Sequence, residues 1–161
     1  MTKSSKGFSL IELLIVVAII LIIAAIAIPN LLRSRIAANQ ASAVGSLRTL
    51  NTAEITYSST YNVGFTYTMA YLAPPTTAGA NPTSTAAGLI DSVLSSGSKS
   101  GYSFTYSPGS SDSTGRINTY AINANPITNS TGTNYYFTDQ SGVIRQNSTT
   151  SAASTDSPLA G

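Results

Sequence analysis

The chain has 161 residues, of which 9% are charged, and it contains no Cys and no His. A typical soluble domain has about 25% charged residues. The lack of Cys and His excludes disulfides, thiolate nucleophiles, His general bases and the common zinc sites. The formal net charge is +2, with Lys3 and Lys6 near the start and the other charges dispersed. Since nucleic-acid binding requires a basic patch or stripe, no nucleic-acid site is predicted.

The first 28 residues divide into a short basic segment and a long apolar one. Residues 1–7 (MTKSSKG) are polar and basic, whereas residues 8–28 contain only two polar residues, Ser9 and Glu12. At about 1.5 Å of rise per residue, a helix over 8–28 reaches about 32 Å, close to the roughly 30 Å hydrocarbon core of a bilayer. Residues 8–28 are therefore predicted to form a transmembrane helix.

Pro29 interrupts the apolar run, and an amphipathic pattern follows. Apolar residues recur three or four positions apart, the spacing of one helical face: Ala41, Val44, Leu47, Leu50, Ala53, Tyr57 and Tyr61. Residues 29–61 are therefore predicted to form an amphipathic helix. Two outcomes are open at Pro29, because a proline within a helix removes one hydrogen bond and clashes with the preceding turn. Either the first helix ends there, or one helix continues with a kink, which the immediate return of the pattern favours.

Residues 62–146 are predicted to form a head of loops and a small antiparallel sheet. Pro and Gly residues mark loops in its first part, and a short helix is expected near 86–95. Alternating or aromatic-rich segments predict three strands: 102–106, 118–124 and 134–138. The sequence DQSG at 139–142 is typical of a hairpin turn, and it leads into a last strand at 143–145.

The predicted fold class is α+β, with a long N-terminal helical spine packed against the small sheet. Packing the sheet on the apolar face of 29–61 would bury both apolar surfaces. The Tyr residues of the head are expected to lie half-buried with their hydroxyls in water. The tail at 147–161 has little apolar content and is expected to be disordered. The scattered acids predict no catalytic group, and Asp139 lacks the neighbouring oxygen ligands that calcium needs, so no metal or cofactor site is expected.

Glu12 is the anomalous residue of the apolar segment. An ionised carboxylate inside a transmembrane helix costs a few kcal/mol, and such residues are usually retained for a partner. Residues 8–28 contain no Lys, Arg or side-chain amide, so the partner is expected from outside the segment. Cleavage between Gly7 and Phe8 would create one, since the new amino group of Phe8 lies about 6 Å of helix rise from Glu12. A neighbouring chain shifted along the axis could place its own amine there.

The segment KGFSLIELLIVVAIILIIAAIAIPNL resembles the class III leader and first helix of type IV pilins and pseudopilins. The layout of 36–145 looks like the helical spine and sheet head of that family. The resemblance implies cleavage after Gly7 by a membrane aspartyl prepilin peptidase, which also methylates the amine of Phe8. It implies that Glu12 pairs with the Phe8 amine of an adjacent subunit and that Pro29 helps the helix loosen on assembly. Many relatives carry a C-terminal disulfide loop, which a chain without Cys cannot form.

The predicted function is that of a structural subunit of a type IV pilus-like filament, with no enzymatic activity and no cofactor. The implied partners are other copies of the chain, the prepilin peptidase, an inner-membrane assembly platform with its motor, and the bilayer before assembly. The precursor is expected in the inner membrane as a single-pass protein, and the mature subunit in an extracellular pilus or a periplasmic pseudopilus.

Three alternatives to the pilus subunit remain open. The chain could be a pseudopilin of a type II secretion system, which would use the same residues. It could be a secreted protein with a cleaved signal peptide, or a plain membrane anchor that forms no filament. The first residue of the mature chain separates the last two from a pilin: Phe8 for a pilin, about Ile28 for a secreted protein, and Met1 or Thr2 for a plain anchor.

Overall fold

The structure is a computed structural model that describes residues 7–159. The chain divides into two compact units, Met1–Arg35 and Ile36–Gly161. Of the predicted leader at 1–7, only Gly7 belongs to the described residues, and Lys3 and Lys6 lie outside them.

The described part of the first unit consists of a short non-helical segment and the beginning of helix α1. Residues 7–9 are not helical, and α1 (Leu10–Tyr61) begins directly after them. The run that follows contains no Gly, and its Leu and Ala residues are strong helix formers. A helix also satisfies every interior backbone group within the segment, as a lipid environment requires. The predicted long, apolar N-terminal helix is confirmed, and it does not end at Pro29.

The second unit contains α1 from Ile36 onward, and one face of this part is buried. Leu47 and Leu50 have no exposed surface, as the periodic pattern predicts. One residue of the predicted apolar face of this helix is wrong, because Ala41 is exposed and Ala43 is buried instead. Position 41 lies six residues before Leu47, a rotation of about 240° around the helix, whereas position 43 lies one turn before it. The buried face is therefore the one that contains Ala43.

Five antiparallel strands form the sheet of the second unit, and they are ordered as in the chain. Their bounds are β1 (Ser98–Lys99), β2 (Tyr102–Pro108), β3 (Tyr120–Pro126), β4 (Tyr135–Asp139) and β5 (Arg145–Asn147). Tyr106 of β2 lies opposite Ile122 of β3, and Ala124 of β3 lies opposite Tyr136 of β4. Alternate residues of β2 and β3 share one hydrophobic cluster with the buried face of α1, Phe104 and Ile122 among them. The predicted α+β fold class is confirmed.

The turn between β4 and β5 has the predicted chemistry. Asp139 Oδ1 accepts the Ser141 N–H at 2.9 Å, and the Gly142 N–H donates to the Asp139 carbonyl at 2.9 Å. Gly142 has a φ of +73°, which glycine adopts without strain. The hairpin turn at 139–142 is confirmed, but the last strand begins at Arg145 rather than at 143.

The region between α1 and the sheet differs from the prediction. The helix expected near 86–95 is reduced to α2 (Ser92–Ser95). Leu89 lies before it and outside any helix or strand, and its N–H donates to the Leu72 carbonyl at 2.9 Å. Leu72 ends a 3₁₀ helix, Met69–Leu72, that the sequence pattern did not reveal. The apolar residues near 90 therefore pack through a long-range contact rather than through a local helix.

The structure corrects the expectation of a disordered tail at 147–161, up to residue 159. Ala152 is buried, and its carbonyl accepts the side-chain amide of Asn123 at 2.7 Å. The Asp156 carboxylate accepts the side-chain amide of Asn147 at 3.1 Å. The prediction of disorder was based on the low apolar content of the tail. It was wrong because side-chain hydrogen bonds order this segment, and composition alone does not reveal such bonds.

The expectation that Tyr hydroxyls lie in water is wrong for several buried residues, Tyr57 and Tyr102 among them. Tyr102 is fully buried, and its hydroxyl donates to the Asn134 carbonyl at 2.8 Å. Tyr57 is 3% exposed, and its hydroxyl donates to the Ser84 carbonyl at 2.7 Å. Because a buried polar group needs a partner, these carbonyls replace the water.

Candidate functional site

The candidate site is the start of the first unit, where Gly7 and Phe8 precede α1. The backbone at 7–9 is not helical, and both residues are exposed. The Phe8 side chain has 84% of its surface exposed, and an added Cβ on Gly7 would meet no atom within 4 Å. As far as the described residues from Gly7 onward show, the Gly7–Phe8 peptide bond is therefore accessible to an enzyme that must approach the backbone.

Glu12 has a hydrogen-bond partner within its own segment. Its Oε2 accepts the Ser9 N–H at 2.9 Å, and Ser9 Oγ accepts the Ile11 N–H at 3.4 Å. This hydrogen bond leaves the expectation of a partner from outside the segment a prediction, because that expectation concerns an opposite charge. The charge is a separate matter, because 8–28 contains no cationic side chain. The carboxylate is bonded, but its own segment supplies no opposite charge.

Ser9 and Glu12 form a variant of the capping box, in which the Glu12 carboxylate accepts the Ser9 N–H and the Ser9 hydroxyl accepts the N–H of Ile11 rather than that of Glu12. The first N–H groups of any helix lack partners within that helix. A carboxylate in the first turn also interacts favourably with the helix dipole, by about 0.3–1 kcal/mol. The box accounts for the start of α1 at Leu10. Ser9 is the site residue that sequence reasoning missed, although the spacing S-x-x-E would have revealed it.

The apolar side chains of α1 in the first unit are exposed around the helix. The exposed large residues include Leu10, Ile11, Leu13, Leu14, Ile15, Val16, Val17, Ile19, Ile20, Leu21, Ile22, Ile23, Ile26, Ile28, Leu31 and Leu32. Among the described residues, α1 is the one helix that is long and apolar enough to cross a membrane. Soluble monomers rarely expose apolar patches larger than a few hundred Å². This surface therefore requires lipid or other apolar helices around it.

Pro29 lies inside α1 rather than at its end. Its nitrogen carries no hydrogen, so the carbonyl of Ala25, four residues earlier, receives no helical hydrogen bond from it. Ile28 and Leu31 are 65% and 72% exposed, so little packing supports this turn within the described residues. The turn at Pro29 is thus held by fewer bonds than its neighbours.

The acids of the second unit do not form a metal-binding cluster within residues 7–159. No group of three or more acids lies close enough to hold a metal ion there. Asp112 is exposed, and hydrogen bonds from Thr114 and Asn118 hold the pKa of its carboxyl well below the usual range. A polar depression of about 340 Å³ beside β5 contains one acid, Asp156, which Asn147 already engages. The N-terminal segment therefore remains the candidate functional site.

The N-terminal segment matches a known sequence family. The family model for the prokaryotic N-terminal methylation motif matches residues 2–28. This range contains Gly7, Phe8 and Glu12, the three residues singled out from the sequence. The chain therefore carries the N-terminal methylation motif.

Two curated relatives match a part of the chain. The type IV wide pilus major component PilA4 of Thermus thermophilus is 65% identical over 37 residues, which are 23% of this chain and 28% of the relative. The type IV major pilin protein PilA of Myxococcus xanthus is 52% identical over 50 residues, which are 31% of this chain and 23% of the relative. No solved structure matches the chain. The resemblance of the N-terminal segment to type IV pilins is confirmed.

Proposed function

We propose that this type IV pilin-like chain with an N-terminal methylation motif is a structural subunit of a type IV pilus filament. The observation that carries the proposal is the exposed apolar surface of α1 in the first unit. Such a surface is stable in lipid or against other apolar helices. A subunit that passes from a bilayer into a filament meets these two environments in turn.

In this proposal the chain is made as a single-pass inner-membrane precursor. A prepilin peptidase cleaves it after Gly7 and methylates the new amino group of Phe8. The open, non-helical backbone at 7–9 supports access to the bond, and the lack of a side chain on Gly7 supports close approach of an enzyme.

Glu12 would then set the register between subunits by pairing with the Phe8 ammonium of a neighbour. The capping bond from Ser9 to Oε2 holds the carboxylate near the helix start, where that ammonium is formed. At an effective dielectric near 20, unit charges about 4 Å apart attract by about 4 kcal/mol, and desolvation offsets part of this. The pair therefore selects the register, while packing of the apolar helices supplies most of the filament's stability.

Pro29 would be the point at which α1 kinks or loosens on assembly. The proposal is supported by the Ala25 carbonyl, which Pro29 leaves without its helical donor. It is also supported by the exposed side chains on either side of that turn.

The proposed partners are further copies of this chain, the prepilin peptidase, and an inner-membrane platform whose motor extracts the subunit. Residues 8–28 would lie in lipid before assembly, and the mature subunit would end in an extracellular pilus. The relatives are pilus components by name, and the chain is proposed to have no catalytic activity of its own.

A pseudopilin of a type II secretion system would use the same N-terminal residues. The names of both relatives favour the pilus, since each is described as a major pilus component. Deletion of the gene separates the two functions. Loss of sheared surface filaments with normal protein secretion supports the pilus, whereas the reverse result supports the pseudopilin.

N-terminal sequencing and intact mass of the chain from its source cells test the proposal directly. The expected first residue is Phe8 with one methyl group on its amine. A first residue near Ile28 would identify a signal peptide, and one at Met1 or Thr2 a plain anchor. Either of these results contradicts processing after Gly7.

A further inference from the structure

A buried acid ties the segment after α1 to the helix in the second unit. Glu54 has no exposed surface. Its Oε2 accepts the Thr66 N–H at 3.0 Å, and its Oε1 accepts the Thr66 hydroxyl at 2.5 Å. Thr66 is itself fully buried, and its carbonyl accepts the Tyr106 hydroxyl at 2.8 Å. Thr66 is thereby joined to α1 through Glu54 and to β2 through Tyr106.

The titratable groups that face Glu54 are tyrosines rather than cations. They are Tyr57 on α1, Tyr106 on β2 and Tyr120 on β3, and burial together with repulsion from Glu54 raises the pKa of each. Arg116 bonds instead to Asn62 Oδ1 at 3.3 Å. Within residues 7–159, the one ion pair is Lys99 with Asp91, so no cation compensates Glu54 there.

A buried carboxyl without an opposite charge favours its neutral form, because removing an ion from water is costly. Burial raises the pKa of Glu54, and the hydrogen bonds from Thr66 offset part of that rise. The neutral acid keeps a carbonyl oxygen for the Thr66 N–H and gains a proton that it can donate to the Thr66 hydroxyl.

The same segment has a second anchor at the residue before Thr66. The Phe65 N–H donates to the Ile117 carbonyl at 2.7 Å. Gly64 has a φ of +85°, and any Cβ there would collide with the backbone of Ile117. Since this anchor uses only backbone groups, it does not titrate. Of these two anchors, only the contact between Thr66 and Glu54 includes a titratable group.

We propose that Glu54 is a proton-dependent latch, which holds Thr66 on α1 as the neutral acid and releases it on ionisation. This inference does not rest on the proposed function in a filament. It assigns a conformational role to an acid of the head that processing and assembly leave unused.

The latch makes the segment tighter as pH falls. Because the folded-state pKa is raised, the contribution of Glu54 is fully present below its ordinary pKa of 4.5 and is lost as pH rises through the folded-state value. Between these two values the opening constant at Thr66 should rise about tenfold per pH unit, and above the folded-state value it should level off.

Amide hydrogen exchange of the full chain in detergent micelles, followed by NMR, measures this opening at Thr66. In the wild type we expect the protection factor of the Thr66 amide to fall with rising pH and then level. In Glu54→Gln this protection factor should stay constant with pH. The glutamine side chain keeps both bonds to Thr66 and carries no charge. The Leu94 amide, which bonds Asp91 Oδ1, is the internal control and should show no such fall above about pH 5.

The pH dependence of the Glu54 carboxyl ¹³C shift decides the question even if Glu54→Gln fails to fold. A midpoint clearly above 4.5 supports the latch, and a midpoint at or below 4.5 overturns it. A folded Glu54→Gln variant that retains the wild-type pH dependence at Thr66 also overturns it.

Discussion

The two units of the chain differ in the exposure of their large aliphatic side chains. In the first unit, Ile20 and Leu31 are 58% and 72% exposed, whereas Leu47 and Ile122 in the second have no exposed surface. These residues are equally hydrophobic, so the difference lies in whether the chain supplies its own apolar partner. The second unit is stabilised by its own sequence, and the first depends on the molecules around it.

The acids of the two units differ in the same way. Glu12 accepts one hydrogen bond, from the Ser9 N–H, and lies at an exposed helix start. Glu54 accepts two bonds from Thr66 and is fully enclosed. An exposed acid remains available to a partner in another molecule, whereas an enclosed acid serves its own fold. This comparison favours an external role for Glu12 and an internal role for Glu54, and each can be tested by removing the charge alone.

The largest effect is expected from Glu12→Gln. Glutamine at this position still completes a capping box, so the helix start should be kept while the charge is lost. We expect a processed, folded subunit at normal level and no filaments in sheared fractions, because the Phe8 ammonium of a neighbour loses its counter-ion. Immunoblotting of membrane and sheared fractions measures both quantities.

The matched control for this experiment is Ser9→Ala, which weakens the cap and keeps the charge. It should reduce filament yield much less than Glu12→Gln does. Equal loss in the two variants would mean that the capping box, rather than the charge, is what assembly requires.

Truncation of one aliphatic residue in each unit gives the next largest effect. Leu47→Ala removes a fully buried side chain and should lower the free energy of unfolding of the head by about 2–5 kcal/mol. Ile15→Ala removes a side chain that is 52% exposed and should leave that free energy unchanged. Urea unfolding, followed by tyrosine fluorescence in detergent, measures the difference. A destabilised head in Ile15→Ala would show that the first unit contributes to the stability of the second.

Periodicity and turn chemistry predicted those features of the fold that depend on local sequence. The positions of Leu47 and Leu50 follow from the helical repeat, and the turn at Asp139 follows from the ability of its side chain to bond the backbone two residues on. The N-terminal site was predicted because Gly7, Phe8 and Glu12 occur together within six residues. In each case the relevant partners are close in sequence.

The features that sequence reasoning missed depend on partners far apart in the chain. Leu89 bonds Leu72 instead of forming a helix, and Ala152 is buried because Asn123 holds its carbonyl. Glu54 was grouped with the scattered acids, since its enclosure by Thr66 and Tyr106 is visible only in three dimensions. Ser9 is different, because its motif is local. Its role depends on backbone donors at the helix start, which a reading of the segment for opposite charges does not reveal.

Two glycines should respond to Ala in opposite directions. At Gly64, φ is +85° and a Cβ would collide with the Ile117 backbone, so Gly64→Ala should destabilise the head by about 1 kcal/mol or more. At Gly45, inside α1, a Cβ would meet no atom within 4 Å, so Gly45→Ala should stabilise the helix by about 0.5–1 kcal/mol. Thermal unfolding by circular dichroism resolves both changes, and a stabilising Gly64→Ala would contradict the close approach to Ile117.

The smallest effect concerns Asp91, whose contribution to stability changes with pH in the opposite direction to that of Glu54. The bond from Lys99 at 2.8 Å, with that from the Leu94 N–H, holds the pKa of Asp91 below its ordinary value of 3.8. Because the folded-state pKa is lowered, this contribution is present above 3.8 and is lost as pH falls through the folded-state value. The ion pair is exposed to solvent, so its expected contribution is about 0.2–1 kcal/mol.

Asp91→Asn isolates this exposed ion pair, since asparagine caps a helix nearly as well as aspartate. The variant should lose a few tenths of a kcal/mol near neutral pH and less than that near pH 2, because the contribution of the wild-type carboxyl is lost as pH falls through its lowered pKa. Urea unfolding at about pH 7 and about pH 2 measures the two values. Glu54→Gln should show the reverse order, with its difference from the wild type at high pH and in the stabilising direction. If both variants lost stability at neutral pH, the contrast between an exposed, paired acid and an enclosed, unpaired one would be wrong.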